Sequence, residues 1–277
     1  MLDAKPLLPL LIEPETLHDA LLKDDNQFIL LVDLRTEANF IRGHIEGAQL
    51  VLPSETQAAP PIPGLSPSDE QLSHLMQRIG LTKDKHVVVY DDEGGGWAGR
   101  FIWLLDEIGH TNYSYLNGGI LSWSASNLPT SIEVKRSSPS KIMINRQAGH
   151  SVYLDDLMQS ISENKLQIWD ARSPMEYSGE KVNATKGGHI PGALNYEWTN
   201  AMDQTNHLKL KPLDTIRKEL NDIGISTDKE TVTHCQSHHR SGLTYLLGKL
   251  LNFKSMKAYP GSWGEWGNHP DTPTEKN

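Results

Sequence analysis

The hexapeptide GHIEGA at residues 43–48 returns 145 residues later as GHIPGA at residues 188–193. Each copy follows an apolar run that closes on Asp-x-Arg: ILLVDLR ends at Arg35 and LQIWDAR at Arg172. Each is followed by an Ile-Gly-apolar helix end (Ile79-Gly80-Leu81, Ile223-Gly224-Ile225), a β-rich run (HVVVYDD, TVTHCQ), a helix-like stretch (RFIWLLDEIG, GLTYLLGKLL) and a Gly/Trp segment (NGGILSW, PGSWGEW). Order, spacing and residue type agree across both halves, so the chain is a tandem duplication. Its 277 residues give each half enough length to bury its own core. Short, nearly continuous apolar strands alternate with helical patterns, which predicts an α/β fold in which each half is a mostly parallel sheet with helices on both faces. The Pro-Ser stretch within residues 131–149 reads as a connector. This divides the chain into a domain over 1–136, a linker over 137–149 and a domain over 150–277. Residues 52–68 carry five prolines and read as an exposed excursion.

Charge and cysteine content narrow the chemistry. With 35 acidic and 26 basic residues and a net charge of −9, the composition argues against a dedicated nucleic-acid surface, so no nucleic-acid partner is expected and an anion site must be built locally. No apolar run approaches the roughly 20 residues that span a bilayer, and the N-terminal stretch lacks the pattern of a signal peptide. A cytoplasmic protein with no membrane partner is expected. Cys235 is the one cysteine, which excludes an internal disulfide and every Cys-pair metal motif.

A lone cysteine is either an inert buried hydrophobe or the reacting group. Cys235 stands where the β-rich run TVTH ends and a helix begins near Arg240. In open α/β sheets ligands bind at such points, because the helix N-terminus offers free N–H groups and positive partial charge to an anion. Arg240, His234, His238 and His239 add nearby charge, and together these effects can bring a thiol from about 8.5 into the range of roughly 3.5–7.5. A nucleophilic thiolate is the expectation.

The duplicated halves, the Asp-x-Arg ends, the GHI-x-GA motifs and the Cys-x4-Arg loop resemble the tandem-domain rhodanese sulfurtransferases over nearly the whole chain. The loop CQSHHR differs from the CRKGVT and CGSGVT forms associated with thiosulfate and mercaptopyruvate enzymes. It is most similar to a bacterial subgroup with Cys-Gln-x-His-His-Arg. The resemblance implies a catalytically silent first domain and a second domain that transfers sulfane sulfur from thiosulfate to cyanide or a thiol through a Cys235 persulfide, without a cofactor. Asp91 stands in the first half where Cys235 stands in the second, as that pattern requires. The implied substrate-binding residues are Gln236, Ser237, His238, His239 and Arg240, whose amides turn toward the sulfur, together with Arg172. The implied partners are a small anionic sulfur donor and a thiol, cyanide or protein acceptor.

The same residues are compatible with other chemistries. Mercaptopyruvate enzymes carry a second Arg four residues after the Asp-x-Arg arginine. Here that residue is Glu176, with Lys181 and Lys186 as alternative cations or as solvated loop lysines. Asp170 and Arg172 either bind donor or brace loops, as the duplicate pair Asp33 and Arg35 must. A Cys-x5-Arg phosphatase needs one more loop residue. A metal site would require His234, Cys235, His238 and His239 to converge. A persulfide carrier or docking module without turnover uses the same cysteine. His44 and His189 occur equally in both halves and read as structural. Trp198 and Trp263 are candidates for the pocket wall, whereas Trp266, repeated as Trp123, reads as core. Gly94–Gly96, preceded by three acidic residues, reads as a turn.

Overall fold

A computed structural model describes residues 8–163 and 166–276. The first seven residues, part of the stretch read for a signal peptide, lie outside the described residues. The chain divides into two units. One holds residues up to Thr56 with Pro67–Gln147 and Asp203–Leu210; the other holds Gln57–Ser66, Ala148–Met202 and the chain from Lys211 on.

In the first unit the elements run β1 (Leu11–Ile12), α1 (Pro14–Leu21), β2 (Ile29–Asp33), α2 (Glu37–Arg42), β3 (Gln49–Leu50), α3 (Asp69–Arg78), β4 (His86–Tyr90), α4 (Gly96–Glu107), β5 (Tyr113–Leu116) and α5 (Gly119–Ala125). The sheet order is β1-β5-β4-β2-β3, with every pair parallel. In the second unit they run α6 (Leu154–Ser162), β6 (Gln167–Asp170), α7 (Pro174–Ser178), β7 (Leu194–Asn195), α8 (Leu213–Asp222), β8 (Glu230–His234), α9 (Arg240–Leu250), β9 (Ser255–Ala258) and α10 (Ser262–Trp266). This sheet is also parallel, in the order β7-β6-β8-β9. Helices surround both sheets, which is why β4 and most of β8 are buried along their length instead of alternating.

Local chemistry sets the element ends. Ser68 with Gln71 and Ser173 with Glu176 form capping boxes at the starts of α3 and α7, and Thr36 caps α2. The cores repeat as well: Ile12, Leu31, Val88 and Trp123 cluster in one unit, and Ile168, Val232, Trp263 and Trp266 in the other. His44 and His189 stack on Phe40 and Tyr177 at 3.8 and 3.7 Å, and each places Nδ1 on the carbonyl of its stacking partner. Trp123 and Trp266 donate their indole N–H groups to Pro129 and Pro273 carbonyls, with both rings buried.

Two segments depart from the simplest reading of the repeat. Residues 57–66, expected as an exposed excursion, belong to the second unit: Ala59, Pro60, Pro61 and Pro63 are exposed, but Gly64 is buried. Conversely, residues 203–210 of the second repeat cluster with the first unit, where Leu210 N–H donates to Asn117 Oδ1 and Lys209 pairs with Glu13. The stretch after Ser131 has little regular structure. It is laid along the first unit by Ser137 N–H to Gln49 Oε1, Ser140 N–H to the Gln77 carbonyl and the Arg146–Glu107 ion pair.

Candidate active site

Strand β8 delivers Cys235 to the sheet's C-terminal edge, and α9 begins five residues later. The loop between them is held from outside by the first turn of α10. Trp263 N–H donates to the Cys235 carbonyl at 2.9 Å and Gly264 N–H to the Gln236 carbonyl at 2.8 Å. In a trans peptide the N–H points opposite to the C=O, so these two bonds turn the Gln236 and Ser237 N–H groups inward. The Cys235 sulfur accepts from the Ser237 N–H and from both the N–H and the hydroxyl of Ser241.

Not every amide turns in. His238, at a positive φ of 54°, donates its N–H to Ser262 Oγ at 3.1 Å instead of to the sulfur, so the expectation of inward amides from 236 through 240 does not hold for this residue. Ser262 Oγ also accepts the Cys235 N–H at 3.3 Å and donates to the Tyr259 carbonyl at 3.0 Å, which uses the full capacity of a hydroxyl. Ser262 is itself held at φ 55°. It is a residue the sequence did not single out, because its counterpart in the first repeat is Gly119, with φ 58°.

Cys235 is 1% exposed. Burial by itself would push the thiol up, but the Arg240 guanidinium and the donors from Ser241 and Ser237 outweigh it and hold the thiol below its ordinary value. Arg240 is in turn gripped by Glu176, with Nη1 to Oε2 at 2.7 Å and Nη2 to Oε1 at 2.9 Å. The same carboxylate accepts from the Ser173 hydroxyl at 2.9 Å and from Asn183 Nδ2 at 3.0 Å, and is 3% exposed. Burial opposes its charge, yet Arg240 and Ser173 draw Glu176 down to about 2, so it is ionised across the working range. Asn183 also takes Gln236 Nε2 on its carbonyl at 3.2 Å. The first and last flanking residues of the loop are therefore tied to one segment.

Arg172 lies beneath this arrangement. It donates through Nε and Nη2 to the Asp170 carboxylate, through Nη2 to the Gly188 carbonyl at 2.9 Å, and stands 4.3 Å over the Trp263 ring. Arg35 makes the same bonds to Asp33 and to the Gly43 carbonyl. His234 Nε2 is 3.6 Å from Asp170 and its Nδ1 is 3.2 Å from the Cys235 carbonyl; burial pushes it down to about 4 despite the pull of Asp170.

The remaining histidines diverge. His238 places Nδ1 on Ser241 Oγ at 2.8 Å, while the His239 ring meets Trp198 edge-on at 5.5 Å, at the half-buried mouth. Among the described residues, no group of three or more His, Cys, Asp and Glu side chains is placed to hold a metal ion. Lys186 is not a solvated lysine: its Nζ caps the carbonyls of His269, Pro270 and Thr272. Lys181 is exposed.

The first unit shows what this loop does without a thiol. Asp91 Oδ1 accepts N–H groups from Gly95 at 2.9 Å and Glu93 at 3.2 Å, and Oδ2 accepts from Ala98 at 3.1 Å. Ile120 N–H holds the Asp91 carbonyl as Trp263 holds that of Cys235. The cradle is filled by its own carboxylate, which burial pushes up to about 6. The arrangement around Cys235 can thus stabilise an anion at the sulfur, where the first unit holds its own carboxylate.

The model of the rhodanese-like domain family matches residues 13–126 and 153–269. The thiosulfate sulfurtransferase of Azotobacter vinelandii is 51% identical over 269 residues, covering 97% of both chains. The thiosulfate sulfurtransferase of Pseudomonas aeruginosa is 47% identical over 269 residues, again covering 97% of both. Among solved structures, the 3-mercaptopyruvate sulfotransferase SseA from Escherichia coli superposes with a TM-score of 0.81 at 26% identity, covering 92% of this chain and 99% of that one.

Proposed function

This chain belongs to the rhodanese family, and on that premise we propose that it is a thiosulfate sulfurtransferase working through a persulfide on Cys235. The observation that carries the reading is a buried thiol held below its ordinary value by Arg240 and by donors aimed at the sulfur. The thiolate attacks the outer sulfur of thiosulfate; the S–S bond breaks and sulfite leaves with the electron pair. Cyanide or a thiolate then attacks the terminal sulfur of the persulfide and expels the Cys235 thiolate, completing two-step covalent catalysis. The Gln236 and Ser237 amides and the Ser241 hydroxyl stabilise negative sulfur in both steps at little reorganisation cost. Trp198 and His239 face the acceptor at the mouth, and Arg172 serves by bracing β6 and the Gly188 turn beneath the loop.

The engaged cations favour thiosulfate over 3-mercaptopyruvate. A carboxylate-bearing donor needs a free cationic fork, but Arg240 is taken by Glu176, Arg172 by Asp170 and Lys186 by carbonyls. Intact mass spectrometry tests the mechanism. Thiosulfate should make the protein one sulfur atom heavier, cyanide should reverse the gain, and Cys235→Ser should show neither change; added mass on the serine variant rejects the reading.

A further inference from the structure

Residues 57–66 come from the repeat that lacks a thiol, yet they cluster with the unit that carries Cys235. The segment is a closed turn, with Ala58 N–H on the Leu65 carbonyl at 2.9 Å and Leu65 N–H on the Ile62 carbonyl at 3.2 Å. Its outer prolines face solvent, and its inward point is Gly64. A Cβ built on Gly64 would lie 2.1 Å from the Pro260 carbonyl oxygen and 3.1 Å from the Ser237 carbonyl carbon. Gly64 is not among the positive-φ glycines, so its backbone admits alanine and only close approach excludes a side chain.

Both residues it meets belong to the cradle. Ser237 presents the N–H that the Gly264–Gln236 bond turns toward the sulfur. Pro260 leads into Ser262, whose hydroxyl holds the amides of Cys235 and His238. The first unit carries the reciprocal contact: a Cβ on Gly118 would lie 2.7 Å from the His207 carbonyl of the 203–210 segment, and Gly118 leads into Gly119, the counterpart of Ser262. In each unit a segment of the other repeat thus meets the turn that leads into Ser262 or its counterpart Gly119.

We propose that Gly64 is a positioning residue for sulfur transfer, and that segment 57–66 is a strap holding Ser237 and the 260–262 turn in register so that the loop amides stay aimed at Cys235. The thiol-free repeat thereby takes part in the chemistry of the other. The kinetic part of this proposal rests on the sulfurtransferase reading; the thiol's acidity does not.

The test is Gly64→Ala in the full chain, followed by the pH dependence of Cys235 alkylation by iodoacetamide, by steady-state turnover of thiosulfate and cyanide, and by thermal melting. Misaiming one amide donor should raise the alkylation midpoint by about one pH unit and lower kcat/KM by about tenfold or more. A variant that melts lower but keeps the wild-type alkylation midpoint, or turnover within about twofold, overturns the proposal, because a merely structural contact would behave that way. If Gly64→Ala does not fold, Pro63→Gly loosens the strap without a clash. It should move the same midpoint in the same direction, and an unmoved midpoint overturns the proposal. Should wild-type protein acquire no sulfur from thiosulfate, the sulfurtransferase reading fails while the alkylation readout still decides the strap.

Discussion

Replacing Glu176 by glutamine removes the charge from the Arg240 clasp while keeping a side chain of the same shape that still serves the α7 capping box. The pull of Arg240 and Ser173 takes the Glu176 carboxyl from 4.5 to about 2, a shift of roughly 2.5 units, which at 1.36 kcal/mol each is about 3 kcal/mol. Both side chains are largely buried, at 20% and 3% exposed, so solvent screens little of this. For a chain of this size the expected loss is about 6–12 °C in Tm at pH 7. The sign with pH follows from a folded-state pKa that lies below the unfolded one: the stabilisation is complete above about 4.5 and disappears as pH falls toward about 2. Urea unfolding of wild type and Glu176→Gln from pH 7 down to pH 3 measures the gap directly. It should be about 3 kcal/mol at neutral pH and shrink by roughly half or more by pH 3. A neutral-pH gap under about 1 kcal/mol, of the size expected for an exposed surface pair, would refute the reasoning; so would a gap that stays constant with pH.

Ser262→Ala leaves the N–H groups of Cys235 and His238 without their acceptor. It should cost about 1–3 kcal/mol of stability and raise the alkylation midpoint of Cys235, both read on one sample by melting and iodoacetamide kinetics. Asp91 has the opposite linkage to Glu176, since its folded-state pKa of about 6 lies above the ordinary 3.8. Wild type should therefore gain up to about 3 kcal/mol relative to Asp91→Asn as pH falls from 7 to 4, and parallel stability curves across that range would contradict a buried, ionisable Asp91. A donor panel should give thiosulfate a higher kcat/KM than 3-mercaptopyruvate, and Glu176→Gln should narrow that ratio by freeing part of Arg240; the reverse preference in wild type would show that an otherwise engaged cation, or Lys181, receives the carboxylate.

Much of this molecule is written in local pattern. The 145-residue repeat, the apolar runs before Asp33 and Asp170, and the strand-to-helix position of Cys235 are short-range features whose physical consequence does not depend on the rest of the chain. They suffice for two parallel α/β units and for a single thiol at the sheet edge. His44 and His189 were legible as structural because duplication places them in both halves, with and without the cysteine; for Arg172 the same duplication left donor binding and bracing both open.

What tertiary structure alone decided is partnership across long sequence separation. Glu176 and Arg240 are 64 residues apart, and one carboxylate takes both arms of the guanidinium. Ser262, 27 residues beyond Cys235, enters the site by taking the Cys235 and His238 N–H groups on its hydroxyl, with both His238 and Ser262 at positive φ. Gly64 reaches Ser237 from the other repeat. Residue type and spacing encode periodicity and local backbone preference, whereas which donor meets which acceptor is fixed only when the packed sheets and helices bring distant segments within hydrogen-bond reach.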